Sequence, residues 1–172
     1  MRRKTLYVAG IVALLSFTIV SGARAPGITG QQGLEMMKKM AGSWSGTMMK
    51  KDGPPATVTY EVTSGGTAVL EKLDPGGQYE MTTVYYLDGA DLLATHYCAA
   101  GNQPMMKLNT KLSDEKKLVF DFVRVTGLKK PDESYIHNVT HSLVEGNKLE
   151  SVWQSSSASS EDEMKFFLAR GK

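Results

Sequence analysis

The chain has 172 residues, 41% of them hydrophobic, with 20 Lys and Arg against 18 Asp and Glu. That is one domain's length, enough to bury an apolar core without disulfide staples, and its single cysteine, Cys98, excludes an intrachain disulfide. Charge this close to balance also excludes the basic footprint of a nucleic-acid binder.

The first residues read as an address. Arg2, Arg3 and Lys4 precede an apolar run over 6–20, and Ala23-Arg24-Ala25 supplies small residues in an A-x-A-like order. Charge, apolar stretch and small residues in that sequence are the layout of a cleavable secretory signal peptide. The run covers about 15 residues, short of the roughly 20 an anchor helix needs. Cleavage is expected after Ala25, with Ala23 as the other site. The expected organisation is a signal peptide over 1–25, a flexible lead over 26–33 and a β-barrel domain over 34–172. A cut after Ala25 removes four basic residues and no acidic ones, leaving 16 against 18. The expected location is periplasmic or secreted, with no integral membrane segment after cleavage. In an oxidising compartment a lone Cys98 is expected to be buried as a small hydrophobe.

Helical spacing occurs once. Leu34, Met37 and Met40 recur at intervals of three between Glu35, Lys38 and Lys39, which predicts a short amphipathic helix over 32–41, stopped by Gly42. Period-two runs then follow at 44–50, 57–63, 67–73, 79–87, 92–98, 105–112, 118–125, 134–144, 148–154 and 164–170. Turn chemistry separates them, as in Asp52-Gly53-Pro54-Pro55, Ser64-Gly65-Gly66, Asp74-Pro75-Gly76-Gly77, Asp88-Gly89 and Glu145-Gly146-Asn147. The serine-rich stretch 155–160 reads as a hairpin loop. Short strands at this spacing without interleaved helices mean a sandwich or an up-and-down barrel. The expected fold is all-β: an antiparallel up-and-down barrel of about 8–10 strands with one short N-terminal helix, lipocalin-like in kind.

Alternation also assigns faces. Inward positions are expected at Val58, Tyr60 and Val62; at Leu92, Ala94, His96 and Cys98; and at Met106, Leu108, Thr110 and Leu112. Leu118, Phe120, Phe122 and Arg124 continue the set, followed by Tyr135, His137, Val139, His141 and Leu143. Leu149, Ser151 and Trp153, then Met164, Phe166 and Leu168, complete it. This interior is aromatic and Met-rich, yet it holds His96, Arg124, His137, His141 and Tyr60, and buried polar groups need partners. Two arrangements accommodate them: a ligand-sized space within the barrel, or positions at the rims in contact with water.

Two segments carry a resemblance. Gly42-Ser43-Trp44, after a short helix and opening the first strand, resembles the G-x-W start of lipocalins and other calycins. The stretch Thr95-His96-Tyr97-Cys98-Ala99-Ala100-Gly101-Asn102-Gln103-Pro104 is similar to a segment in a family of uncharacterised bacterial exported proteins with a lipocalin-like barrel. The resemblance spans about residues 34–170. It implies a calycin-type barrel and brings no activity with it. Met105 stands where that family usually has a basic residue, which argues against recognition of an anion there. Haem-carrying calycin barrels such as nitrobindins use a histidine near the C-terminus, and residues 161–172 contain none, so no cofactor is expected.

Catalytic and metal chemistry have little footing. His137 and His141 lie four residues apart, about 13 Å along an extended strand, too far to share an ion at about 2 Å. His96 and Cys98 share a face without the further groups that a metal or a thiol nucleophile needs. No G-x-S-x-G, H-E-x-x-H or phosphate loop occurs. The leading expectation is a barrel that binds a small hydrophobic or amphipathic ligand in its interior. Its expected contacts are His96, Arg124, His141 and Trp153 inside and Asn102 and Gln103 at the mouth. The alternatives are a small barrel enzyme using His96 for acid–base chemistry and an interaction module with a filled core.

Overall fold

A computed structural model describes residues 27–145, 147–156 and 160–171. The signal segment over 1–25 and residues 157–159 of the serine-rich loop lie outside the described residues. Among the described residues one helix, α1 (Gly30–Lys39), precedes ten strands. These are β1 (Gly42–Met48), β2 (Pro55–Thr63), β3 (Ala68–Leu73), β4 (Met81–Asp88), β5 (Asp91–Tyr97), β6 (Gln103–Leu108), β7 (Lys117–Thr126), β8 (Tyr135–Val144), β9 (Lys148–Ser156) and β10 (Glu161–Arg170). Each strand pairs antiparallel with the next, and β10 returns to pair with β1, closing the barrel. The expected up-and-down barrel is therefore the fold, and it is compatible with a calycin-like architecture.

The helix starts two residues earlier than the apolar spacing indicates, because its cap lies upstream. Thr29 Oγ1 accepts from the Gln32 backbone N–H at 3.1 Å, and Gln32 Oε1 accepts from the Thr29 N–H at 2.8 Å. This reciprocal box satisfies two of the otherwise orphaned amides at the helix start. Leu34, Met36, Met37 and Met40 turn into the core, and the helix lies over one end of the barrel. Gly30 and Gly33 permit the close approach. A Cβ on Gly30 would stand 2.3 Å from the Ala90 carbonyl oxygen, and one on Gly33 would stand 2.7 Å from a Leu108 methyl.

A clasp joins this end to the last strand. Trp44, 1% exposed, donates its indole N–H to the Met40 carbonyl at 2.8 Å. The Arg170 guanidinium lies 4.4 Å over the Trp44 ring, a cation–π geometry. Its two terminal nitrogens donate to the carbonyls of Ala41 at 2.5 Å and Lys39 at 2.7 Å. Those are carbonyls that the helix end leaves without intrahelical donors. One arginine thus covers the tryptophan and fastens β10 to the helix.

The far end is less regular. β7 and β8 pair only through residues 117–120 and 139–142. Beyond them, residues 121–126 of β7 pair with β6 alone, so the two strands part, with the Phe122 and Tyr135 rings 5.2 Å apart where they do so. β6 also ends earlier than alternation suggests. Asn109 Oδ1 accepts from the N–H groups of Lys111 and Leu112 and turns the chain there, leaving Thr110 and Leu112 exposed rather than inward. Val62 and Met164, also expected inward, are exposed near strand ends. Among the described residues no helix is long and apolar enough to cross a membrane.

Trp44→Ala is expected to lower the unfolding free energy by about 3–5 kcal/mol, the range for truncating a buried aromatic. Urea unfolding followed by circular dichroism measures this directly.

Candidate functional site

The barrel interior changes character along its axis. Beneath the helix it is apolar, with Leu92, Leu108, Leu149 and Leu168 each at most 4% exposed. Farther from the helix the inward positions turn polar. Tyr60, Glu71, Thr83 and His96 stand side by side on β2, β3, β4 and β5 in direct cross-strand register. His141 and Ser151 face each other across β8 and β9. Tyr85 and Trp153 complete the group, and all eight side chains are buried.

Glu71 is the hub. Tyr60 donates its phenol proton to Oε1 at 2.7 Å and Tyr85 donates to Oε2 at 2.6 Å. The Tyr85 oxygen also meets His141 Nε2 at 2.9 Å, and His141 Nδ1 meets Ser151 Oγ at 2.8 Å. The proton positions follow by elimination. With Glu71 ionised, Tyr85 gives its one hydrogen to the carboxylate, so its oxygen accepts from His141 Nε2–H. His141 Nδ1 is then the bare nitrogen and accepts from the Ser151 hydroxyl. The chain runs in one direction, from serine through histidine and tyrosine to the acid. Aromatic edges pack around it, with His141 about 6 Å from the rings of Tyr60, Tyr85, Phe120 and Trp153.

Burial dominates the titration of these groups. It raises the Glu71 pKa to about 7, against the opposing pull of hydrogen bonds from Tyr85, Tyr60 and Thr83. No buried lysine or arginine occurs among the described residues to hold the acid ionised. Desolvation lowers His96 to about 4 and His141 to about 3, so both imidazoles are neutral at pH 7. Tyr60 and Tyr85 are pushed well above the ordinary phenol range, first by burial and then by the charge of Glu71.

Two ring nitrogens in this region are left over. His96 Nδ1 is held by Thr83 Oγ1 at 2.9 Å, but His96 Nε2 has no protein partner. Trp153 Nε1 has none either, and the two rings lie 5.0 Å apart. His96 is 1% exposed and Trp153 2%. Met164 stands opposite Trp153 across β9 and β10 and is 38% exposed, so this pair lies one side chain from solvent at the barrel end away from the helix.

Of the six side chains that the sequence nominates, the structure brings His96, His141 and Trp153 together. Arg124 is a correction. β6 and β7 slip by one residue between Met105 and Met106, so that Met106 faces Phe122 while Met105 faces Arg124. Val123 is the extra residue of this bulge. It resets the alternation and turns Arg124 to the outer surface, where it is exposed. Asn102 is buried at the turn before β6. Its amide donates to the Ser134 carbonyl at 3.0 Å, and its Oδ1 has no protein partner. Gln103 is half-buried and engaged in its own hairpin, donating to the Gly101 carbonyl at 2.8 Å and accepting from Thr126 at 3.3 Å. A second irregularity, at His137 between Ile136 and Asn138, leaves that histidine half-buried with Nδ1 against Asn138 Oδ1. Cys98 is half-buried, its sulfur 4.0 Å from that of Met81.

Glu71, Thr83 and Tyr85 do not emerge from the sequence reading. A signal for them exists in β3, where Val69, Glu71 and Leu73 alternate with Leu70 and Lys72. The face of Glu71 carries two apolar residues, Val69 and Leu73, and Lys72 can reach water with its long stem, which points Glu71 inward. Among the described residues no three His, Cys, Asp or Glu side chains converge on one point. The chain matches no protein-family model, no curated protein and no solved structure.

The three perturbed groups set a pH signature. Glu71 holds its proton to a higher pH folded than unfolded, so its contribution is complete below pH 4.5 and is lost as pH rises through about 7. His96 and His141 are depressed, so theirs is complete above pH 6.5 and is lost as pH falls towards 4 and 3. With two histidines opposing one acid, stability should climb from acid pH to a plateau near 7. In Glu71→Gln the falling contribution is gone, so between pH 4.5 and 8 the variant should gain about 3 kcal/mol on the parent protein. Urea unfolding across that range tests this; parallel curves for the two proteins would contradict it.

Proposed function

We propose that this protein is an exported carrier which takes a small, mainly apolar or amphipathic molecule into the barrel end away from the helix, against His96 and Trp153. The observation that carries the reading is the pair of unpaired ring nitrogens, deeply buried on two rings whose centroids lie 5.0 Å apart. A buried polar group without a partner costs about 1–3 kcal/mol, and a bound molecule that supplies partners recovers part of that. Ligand sites are typically apolar with a few placed polar groups, which describes this end of the barrel.

The lining supports entry. Met106 is buried beside this region, Met81 packs against the core half-buried, and Met164 sits partly exposed opposite Trp153. Thioether side chains repack easily around irregular shapes, so a filled interior can still admit a small guest. Two outer clefts, of about 730 and 430 Å³, are lined by other residues, among them Ile28, Lys116 and Leu143 in the first and Thr47, Glu150 and Phe167 in the second. They share no side chain with the polar interior. Export rests on the charge, apolar run and small residues of 1–25, and kinship with lipocalin-like exported proteins on the two segments that resemble them.

Two measurements test the reading. A hydrophobic fluorescent probe should bind the protein stoichiometrically, and Trp153→Ala should weaken it about tenfold, the loss of a buried contact worth roughly 1.4 kcal/mol. Lys148→Ala, on the outer face, should leave it unchanged; failure of the probe to bind removes the carrier reading. N-terminal sequencing of protein from the producing cell should begin near Pro26, and an intact Met1 on a membrane-held chain would refute export.

A further inference from the structure

We infer that residues 121–126 of β7 form an open edge for strand addition, and that its partner is an extended segment of another protein carrying a carboxylate between two apolar residues. This edge uses none of the side chains on which the carrier reading rests.

The edge arises where β7 and β8 part. Their ladder stops at Phe120 and Val139. Asn138 ends it, its side-chain amide donating to the Asp121 carboxylate at 3.1 Å and to the Phe120 carbonyl at 3.4 Å. From Asp121 to Thr126 the strand is held by β6 alone. Among the described residues no other strand, turn or loop bonds its backbone on the side away from β6. Side chains do not cover it either, since Phe122, Val123, Arg124 and Thr126 are exposed. A bare edge with aromatic and β-branched side chains is a template for a further strand.

The bulge decides what an incoming strand meets. Val123 is the extra residue, so β6 faces Asp121, Phe122, Arg124, Val125 and Thr126 with five consecutive residues, Lys107 back to Gln103. A strand on the free side that matches the bulge in the same way meets the same order. Phe122 and Val125 then share one face, and Asp121, Arg124 and Thr126 share the other. Directly opposed side chains stabilise a pairing when apolar meets apolar and charge meets its opposite. The complementary run is therefore apolar, acidic, apolar, with its acid against Arg124.

Charge also chooses between occupants. Among the described residues Arg124 makes no hydrogen bond or ion pair, whereas the Asp121 carboxylate is engaged by the amides of Asn109 and Asn138. The unspent charge on this edge is thus positive. The loop that follows, 127–134, carries Lys129, Lys130, Asp132 and Glu133 and adds no net charge. Arg124 is central to the free stretch, so a second copy laid antiparallel along it would set this arginine against its own counterpart. Like charges directly opposed are destabilising. An acidic segment meets no such penalty. In strand addition the main-chain bonds supply affinity and the opposed side chains supply selection.

Two fluorescein-labelled, amidated peptides test this, Thr-Val-Glu-Val-Thr and Thr-Val-Lys-Val-Thr, each titrated with the purified protein and read by anisotropy. The glutamate peptide should bind about tenfold more tightly than the lysine peptide, the difference between an unlike and a like charge opposite Arg124. Arg124→Glu should reverse that order, and Arg124→Ala should remove it. Both changes fall on an exposed side chain, and circular dichroism confirms the fold of each variant. Hydrogen exchange should show the amides of 121–126 slowed by the glutamate peptide and those of β2 unchanged. Equal affinity for the two peptides, or a preference that survives Arg124→Glu, overturns the assignment. Binding that leaves 121–126 unprotected places the site elsewhere and overturns it too. If neither peptide binds, the proposal falls, and a dimer seen by sedimentation would give the edge to a second copy instead.

Discussion

A carboxyl group in the middle of an apolar barrel must be supplied with hydrogen bonds from its own walls, since water and countercharge are both out of reach. Glu71 imposes that requirement here. Two phenols answer it directly, on β2 and β4, and the answer propagates: the phenol of Tyr85 needs a donor for its oxygen, His141 supplies one, and Ser151 in turn satisfies His141. Six strands of the barrel wall contribute to the polar interior because one acid on β3 is buried. Replacing one member leaves the next without its partner, and this is the situation in which buried polar groups are most costly. The network therefore fixes the rotamers of large side chains that an all-apolar core would leave interchangeable.

The same arrangement separates a rigid zone from an adaptable one. Towards the helix, leucines, the capped α1 and the Trp44–Arg170 clasp close the end of the barrel. The Glu71 network lies across the middle. Beyond it, His96 and Trp153 each keep a nitrogen unspent, the nearby methionines are deformable, and β7 and β8 have parted. The close-packed, clasped end and the unpaired ring nitrogens thereby fall on different lengths of the same strands.

Much of this was legible from alternation and turn chemistry. The ten strands announce themselves by glycine, proline and aspartate punctuation, and period-two spacing alone puts Tyr60, His96, His141 and Trp153 on the interior. Two kinds of feature escape that reading. A bulge is invisible to it: Val123 costs the alternation one step, and Arg124 emerges on the wrong side of the wall. Strands whose two faces look alike are the other. In β4, Thr82 and Thr83 are neighbours and so are Tyr85 and Tyr86, so either parity gives the same composition. The hub of the interior was missed for a related reason, because a lone glutamate in a strand reads as solvent-facing unless its neighbour Lys72 is weighed against it. The partnerships of Glu71 with tyrosines 11 and 14 residues away need only the register of the neighbouring hairpins, whereas that of Tyr85 with a histidine 56 residues on crosses the barrel and has no local signature.

The pairing of β10 with β1 has a kinetic side. Nine of the ten strand pairings join neighbours in sequence, so they cost little chain entropy and can form hairpin by hairpin as the chain emerges. The tenth cannot form until residues 161–170 exist. Until then β1 and β9 each present a bare edge, the feature that invites pairing between chains. Arg170, at the end of that strand, is the side chain that locks onto the tryptophan of the first. The closing reaction and its latch thus arrive together, and the interval of vulnerability ends as soon as the final strand is available.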